Sequence, residues 1–205
     1  MKRLGIFLGL IGIFILGLVF IFASQETLAQ APSTPPSCLI GEGLSAPAGV
    51  TADTYGNVYV SDMANHIIIK VSPTVRTIIA GTYGQTGFNT VAEGSVALPA
   101  KLNTPTKIFY SPGNGAYGYL YIADSGNNAI RRIDLYTNTI KTMAGGGSPV
   151  AGQPGQSGFS DGNNLATALF NDPRGIYVEP TNLEIAVADS GNNALRLIKP
   201  DLNQV

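Results

Sequence analysis

Hydrophobic and polar residues follow two different patterns along this chain. From Leu4 to Ala23 every residue is apolar or glycine. From Leu44 onward the apolar residues fall in short runs, broken every few positions by Gly, Asn, Asp, Ser or Pro. The first pattern predicts one long helix, because twenty residues at about 1.5 Å each span about 30 Å, the thickness of a bilayer core. The second predicts short strands joined by tight turns, and no part of it has the 3.6-residue periodicity of a helix.

Met1-Lys2-Arg3 is a basic start, which stays on the cytoplasmic side and sends everything after Ala23 across the membrane. Two readings stay open for residues 1–29, a signal peptide and a signal anchor. The apolar run exceeds the 7–15 residues or so of a cleaved signal, which favours an anchor. Thr27-Leu28-Ala29 places small residues ahead of Gln30, which favours cleavage after Ala29; Ala29-Gln30-Ala31 also fits but puts Pro32 after the cut. Both readings make the rest of the chain extracytoplasmic: secreted, periplasmic or anchored by residues 4–23. Gly5 and Gly9 are read as small residues of an export signal rather than a helix-pairing motif. Residues 30–43 hold Pro32, Pro35 and Pro36 among Ser and Thr and read as a spacer.

Residues 44–205 repeat one unit three times, over 44–82, 102–146 and 170–205. Each copy has a Pro (Pro47, Pro105, Pro173), a short apolar strand, a turn, and a second strand ending in Asp62, Asp124 or Asp189. Asn65, Asn127 and Asn192 follow at one fixed offset. A third strand comes next: His66–Val71, Ala129–Ile133 and Ala194–Ile198. Arg76–Ala80 and Thr139–Ala144 supply a fourth, outer strand. Ser125-Gly126-Asn127-Asn128 offers residues that tolerate positive φ in a tight turn, and the preceding Asp can accept hydrogen bonds from the turn's amides. A repeated meander with no helix between copies predicts radially arranged blades. The linkers match too: Ala80-Gly81 leads to Gly87-Phe88, and Ala144-Gly145 to Gly158-Phe159.

Composition agrees: 25 Gly, 13 Pro and only 12% charged residues suit strands and turns rather than helices. The net charge of −1 becomes −2 once Lys2, Arg3 and Glu26 are set aside, and with no basic stripe, nucleic acid is excluded as a partner. Cys38 is the single cysteine, so no intramolecular disulfide forms. Pro35-Pro36-Ser37 ahead of it is a poor lipidation signal.

Three motifs make the chain resemble the NHL-repeat family: Pro-Arg-Gly-Ile-Tyr-Val at 173–178, Tyr-Ile-Ala-Asp-Ser-Gly-Asn-Asn at 121–128, and Asn65-His66-Ile67, with the Gly-Phe-Ser-Asp-Gly linker. The resemblance implies an all-β fold, a β-propeller, commonly of six blades. This chain carries two full repeats and a third that stops shortly after Lys199, hence a partial propeller of about three blades. Three blades cannot close a ring, and open sheet edges invite aggregation. The expectation is a truncated sequence or two chains completing one ring.

No catalytic, cofactor-binding or metal-binding residue is assigned. His66 is the single histidine and is read as a turn residue, too few for a multi-histidine zinc site. No serine motif accompanies it for Ser-His-Asp chemistry. Asp62, Asp124 and Asp189 are read as corner hydrogen-bond acceptors rather than a ring of metal ligands. Asp161-Gly162-Asn163-Asn164 lacks EF-hand spacing and reads as a turn. Gly145-Gly146-Gly147 precedes no helix and is not a phosphate cradle. Arg131, Arg132 and Arg196 are expected in exposed ion pairs or hydrogen bonds. The resulting reading is an exported, non-catalytic binding or sensing scaffold, with a protein, peptide or glycan partner held through propeller loops. Membrane contact is confined to the N-terminal segment. The alternative is part of a lactonase- or lyase-like propeller enzyme whose metal site lies in blades absent from this chain.

Overall fold

The computed structural model describes residues 43–88, 95–98, 100–113, 117–146, 155–161, 165 and 167–205. The chain divides into two compact units, Met1–Pro35 and Pro36–Val205, and all described residues lie in the second. The expected signal or anchor helix at 4–23, the spacer up to residue 42 and Cys38 lie outside the described residues. Among the described residues no helix is long and apolar enough to cross a membrane.

The described residues are all-β and form three antiparallel sheets, one per repeat. Blade 1 contains β1 (Pro47–Ala52), β2 (Val58–Asp62), β3 (Ile67–Val71) and β4 (Arg76–Gly81), in that spatial order. A short β5 (Ser95–Val96) joins the outer edge of blade 2. That blade is otherwise built from β6 (Pro105–Ser111), β7 (Tyr119–Asp124), β8 (Ala129–Asp134) and β9 (Thr139–Gly145). Blade 3 has β10 (Pro173–Val178), β11 (Ile185–Asp189) and β12 (Ala194–Ile198). The repeat expected from sequence therefore forms as meanders, and β5 is an addition, antiparallel to β9 through Ser95 and Ile140.

Each innermost strand starts at the repeat's Pro, and the register shifts there in all three blades, between Pro47 and Gly49, Pro105 and Ile108, and Pro173 and Gly175. Proline has no N–H to give to the ladder, so a bulge is the natural way to keep it in a strand.

Blade 2 shows why its strands read as continuous apolar runs. Side chains alternate across a strand, and both faces of this sheet are covered. Leu120 and Ile122 enter a core shared with blade 1, beside Tyr59 and Ile68. Tyr121 and Ala123, on the same strand, enter a core shared with blade 3, beside Phe170, Ile176 and Val187. Full burial of a side chain of this size contributes about 1.5–3 kcal/mol. In blade 3 only one face is covered: Ile198 is buried while Leu195 is 79% exposed.

Inner strands of neighbouring blades approach closely. A Cβ on Gly49 of β1 would lie 2.5 Å from the Thr106 carbonyl oxygen of β6, so only glycine fits. Ser61 fills the same contact, accepting from the Gly49 N–H at 2.8 Å and donating to the Thr106 carbonyl. Between blades 2 and 3, Ser125 donates to the Pro173 carbonyl, and its hydroxyl also meets that of Thr106 at 2.6 Å.

Candidate ligand-binding face

Two ends of the blades carry different residues, and the first end is structural. Asp62, Asp124 and Asp189, each wholly buried, close their second strands. Asp62 accepts the N–H groups of Ser45 and Ala46 at 3.0 and 3.1 Å. Asp124 and Asp189 accept those of Asn103 and Asn171, both at 2.7 Å. The asparagine three residues on donates to the same carboxylate: Asn65 at 2.7 Å, Asn127 and Asn192 at 2.8 Å. Its amide also donates to the carbonyl of Gly43, Gly87 or Gly158 in the segment that precedes the repeat. Each Asp–Asn pair therefore pins an inner strand, a turn and an incoming linker at one point. This is the corner role expected of the aspartates, and among the described residues no three His, Cys, Asp or Glu side chains converge as metal ligands.

His66 sits in the same turn, with φ 57°, where blades 2 and 3 carry Asn128 and Asn193, both with φ 51°. Its Nδ1 accepts the Thr104 N–H at 3.0 Å, as the Asn128 Oδ1 accepts that of Asp172 at 2.9 Å. The accepting nitrogen must be unprotonated, and burial lowers the imidazole's pKa despite the nearby Asp62. The histidine joins blade 1 to blade 2.

The arginines depart from expectation. Arg131 is wholly buried and Arg196 is 5% exposed. Seven residues beyond the corner aspartate, each points back at it: Arg131 Nη1 lies 3.3 Å from Asp124, and Arg196 Nη1 lies 3.0 Å from Asp189. The linker phenylalanines lie against them, Phe88 at 4.9 Å from the Arg131 guanidinium carbon and Phe159 at 4.8 Å from that of Arg196. Arg196 also pairs with Asp161, the described member of the turn at 161–164. Arg132 is half-buried and stacks over Tyr119 at 4.2 Å. Alternation explains the correction: Arg131 stands opposite Ile122 and Arg196 opposite Val187, so both fall on the strand face that packs against the preceding blade. The clue in the sequence was the pairing itself. Repeats 2 and 3 have Arg seven residues after Asp and Gly-Phe ahead, whereas repeat 1 has Ile69 and Gly43-Leu44.

The other end of the blades is exposed and aromatic. Tyr55 lies between β1 and β2, Tyr117 between β6 and β7, and Tyr136 between β8 and β9. Their rings meet across the two blades: Tyr55 and Tyr117 at 5.6 Å between centroids, Tyr117 and Tyr136 at 5.7 Å and nearly parallel, with an interplanar angle of 10°. They are 62, 47 and 69% exposed. Below Tyr117 opens a cleft of about 260 Å³, lined among others by Asp53, Tyr59, Lys70, Leu135 and Asn138. Burial works to raise the pKa of Asp53. Hydrogen bonds from the Asn57 side chain and N–H, the Tyr59 hydroxyl and the Tyr55 N–H outweigh it, so the carboxyl stays below its ordinary value. Lys70 Nζ sits 5.9 Å above the Tyr59 ring. None of the sequence motifs pointed to this cleft, because its residues come from two repeats and the linker between them and meet only when the blades pack.

No family model matches the chain. Protein SUPPRESSOR OF QUENCHING 1 of Arabidopsis thaliana is 28% identical over 155 residues, covering 74% of this chain and 13% of that protein. NHL repeat-containing protein 2 of Bos taurus is 26% identical over 165 residues, 76% of this chain and 21% of that protein. The chain thus spans about a fifth or less of the length of these relatives. Among solved structures, an auxiliary nutrient binding protein of Bacteroides thetaiotaomicron superposes with a TM-score of 0.58 at 24% identity, over 72% of this chain and 36% of that one. With repeated Asp–Asn corners, meander blades and these similarities together, the chain is similar to the NHL-repeat proteins and has a β-propeller fold, of which the described residues form three blades.

Proposed function

We propose that this chain is a non-catalytic binding scaffold, acting outside the cytoplasmic membrane and engaging its partner through the turns that carry Tyr55, Tyr117 and Tyr136. The observation that carries the reading is the division of labour between the two blade ends. At one end the aspartates, asparagines, His66 and the buried arginines are committed to one another and to backbone groups. At the other, three tyrosines from three turns and two blades are left exposed in mutual contact. Tyrosine offers a large, stiff, amphipathic contact surface at small entropic cost, and loops on a rigid scaffold are the usual place for recognition. The nutrient-binding role named for the Bacteroides structure that shares this fold is in keeping with a binding scaffold. The basic start and apolar run of residues 1–23 support export.

The test is retention on immobilised peptide and glycan panels by the whole chain, compared with a Tyr55→Ala/Tyr117→Ala/Tyr136→Ala variant. Saturable retention of one ligand class, lost in a variant with an unchanged melting temperature, is expected. No retention on either panel, or consumption of a retained ligand, would overturn the reading. Export is checked separately by fusing residues 1–43 to a reporter that is active only outside the cytoplasm.

A further inference from the structure

We infer that the cleft between blades 1 and 2 is a subsite for a neutral saccharide ring, with the tyrosines above it as the platform for adjoining rings. The inference rests on the binding-scaffold reading and names its ligand class.

Three features of the cleft converge on that chemistry. Its size is the first: about 260 Å³ lies just below the usual range for drug-sized ligand pockets and has room for one ring rather than a folded segment. The second is its charge. The cleft holds one carboxylate, Asp53, kept ionised by four donors, and one ammonium, Lys70. The two signs offset each other, so neither an anionic nor a cationic ligand gains a net attraction, and an uncharged polar ligand enters without net repulsion.

The third is the set of hydrogen-bonding groups at the wall. Asn138 brings an amide, both donor and acceptor, on a residue fixed at φ 53°. Lys70 brings donors only, while the Asp53 oxygens are already taken up by their four donors within the protein. Ring hydroxyls both donate and accept, so Asn138 and Lys70 each find a match on a polyol. The apolar side of the ligand is met as well. Leu135 lines the cleft and Tyr117 forms its rim, and Tyr117 continues into the nearly parallel ring of Tyr136 and the tilted ring of Tyr55. A pyranose has the same two characters, an equatorial belt of hydroxyls and an apolar face of C–H groups. A hydrophobic peptide side chain would leave the Asn138 and Lys70 groups desolvated without partners, at a cost in affinity.

The chain has no Trp and nine Tyr, of which Tyr55, Tyr59, Tyr117 and Tyr136 lie at this face, so a change there alters the tyrosine fluorescence. The experiment titrates the whole chain with neutral hexasaccharides of glucose, mannose and N-acetylglucosamine. One of them is expected to change the fluorescence saturably. The apparent Kd should rise at least tenfold in Tyr117→Ala, a few-fold in Tyr136→Ala, and several-fold in Asn138→Ala. Tyr83→Ala, an exposed tyrosine in the linker after β4, should leave it unchanged. Asn138→Ala contributes no fluorescence of its own, and its affinity is measured by calorimetry alongside. The inference is overturned if no hexasaccharide gives a saturable response, or if Tyr117→Ala and Asn138→Ala bind as well as the parent. If peptides are retained in a tyrosine-dependent way while all hexasaccharides fail, the scaffold reading survives and only the saccharide assignment falls. If nothing is retained, both fall.

Discussion

The corners of blades 1 and 2 use the same Asp–Asn pair but solve the packing around it differently. In blade 1, Asp62 is met by the N–H groups of Ser45 and Ala46 and by Asn65, and the position seven residues on is Ile69. These hydrogen bonds outweigh the burial that works to raise its pKa and hold the carboxyl below its ordinary value. In blade 2 the seventh residue is Arg131, at zero exposure like Asp124 itself. There burial prevails over Arg131, the Asn103 N–H and Asn127, and the Asp124 pKa rises to about 6. An opposite charge has therefore not compensated for the removal of water. Backbone N–H donors stabilise a buried carboxylate efficiently because they carry little desolvation cost of their own, whereas a buried guanidinium brings a second charge that must also lose its water. The Nε and Nη2 atoms of Arg131 meet no acceptor among the described residues, which adds to that cost.

The comparison is broken most severely by removing one partner. Asp124→Ala leaves the Arg131 cation and the Asn103 and Asn127 donors without their acceptor, and a loss of about 3–5 kcal/mol is expected by urea unfolding. Copying blade 1 into blade 2 is milder. Arg131→Ile should cost about 2 kcal/mol at pH 8, where Asp124 must be ionised, and much less at pH 5, where it can hold a proton. The sign follows from the raised value: on this group's account stability is present at low pH and declines as pH rises through about 6. A pH-independent loss would contradict it. Asp62 carries the opposite sign. Its lowered pKa makes its contribution present above about pH 4 and lost as pH falls further. Asp62→Asn should cost about 1–2 kcal/mol at neutral pH and remove that acid-side loss. Carboxyl NMR titration should find Asp124 near 6 and Asp62 below the usual range.

The smallest effect is expected at the blade junction. His66→Asn installs the residue that blade 2 uses at the same left-handed position and keeps an acceptor for the Thr104 N–H. At pH 8 the change should stay within about 0.5 kcal/mol. Burial lowers the His66 pKa, so the wild-type contribution is present above about 6.5 and is lost as pH falls through the folded value. The asparagine variant should accordingly be the more stable protein at pH 5, as read by melting temperature, and an identical pH profile for the two would refute the junction role.

The repeat was legible because each copy must satisfy the same local needs. Pro173, which has no N–H, opens a strand at a bulge where the ladder shifts register, and Asp189 and Asn192 recur because a buried corner needs an acceptor and a bridging amide. Those demands are short in range and recur at fixed offsets. The arginines were misplaced for the opposite reason. Whether Arg131 is outside or inside depends on Phe88, from a linker more than forty residues earlier, and on blade 1, which covers the face that Arg131 shares with Ile122. The tyrosine face was missed for a related reason. Tyr55 and Tyr117 share one offset, each followed by Gly and seven residues ahead of the corner aspartate, but repeat 3 has Asn182 there, Tyr136 stands in a different turn, and only the packing of blade 1 against blade 2 brings the three rings together.

The sequence by itself determined the repeated meander and the corner residues of the blades, because hydrogen-bonding and φ requirements act within a few residues of where they are written. Only the tertiary structure decided which charges are buried and which aromatic rings meet. Both depend on how one blade's face and loops lie against the next, and that contact joins residues far apart in the chain.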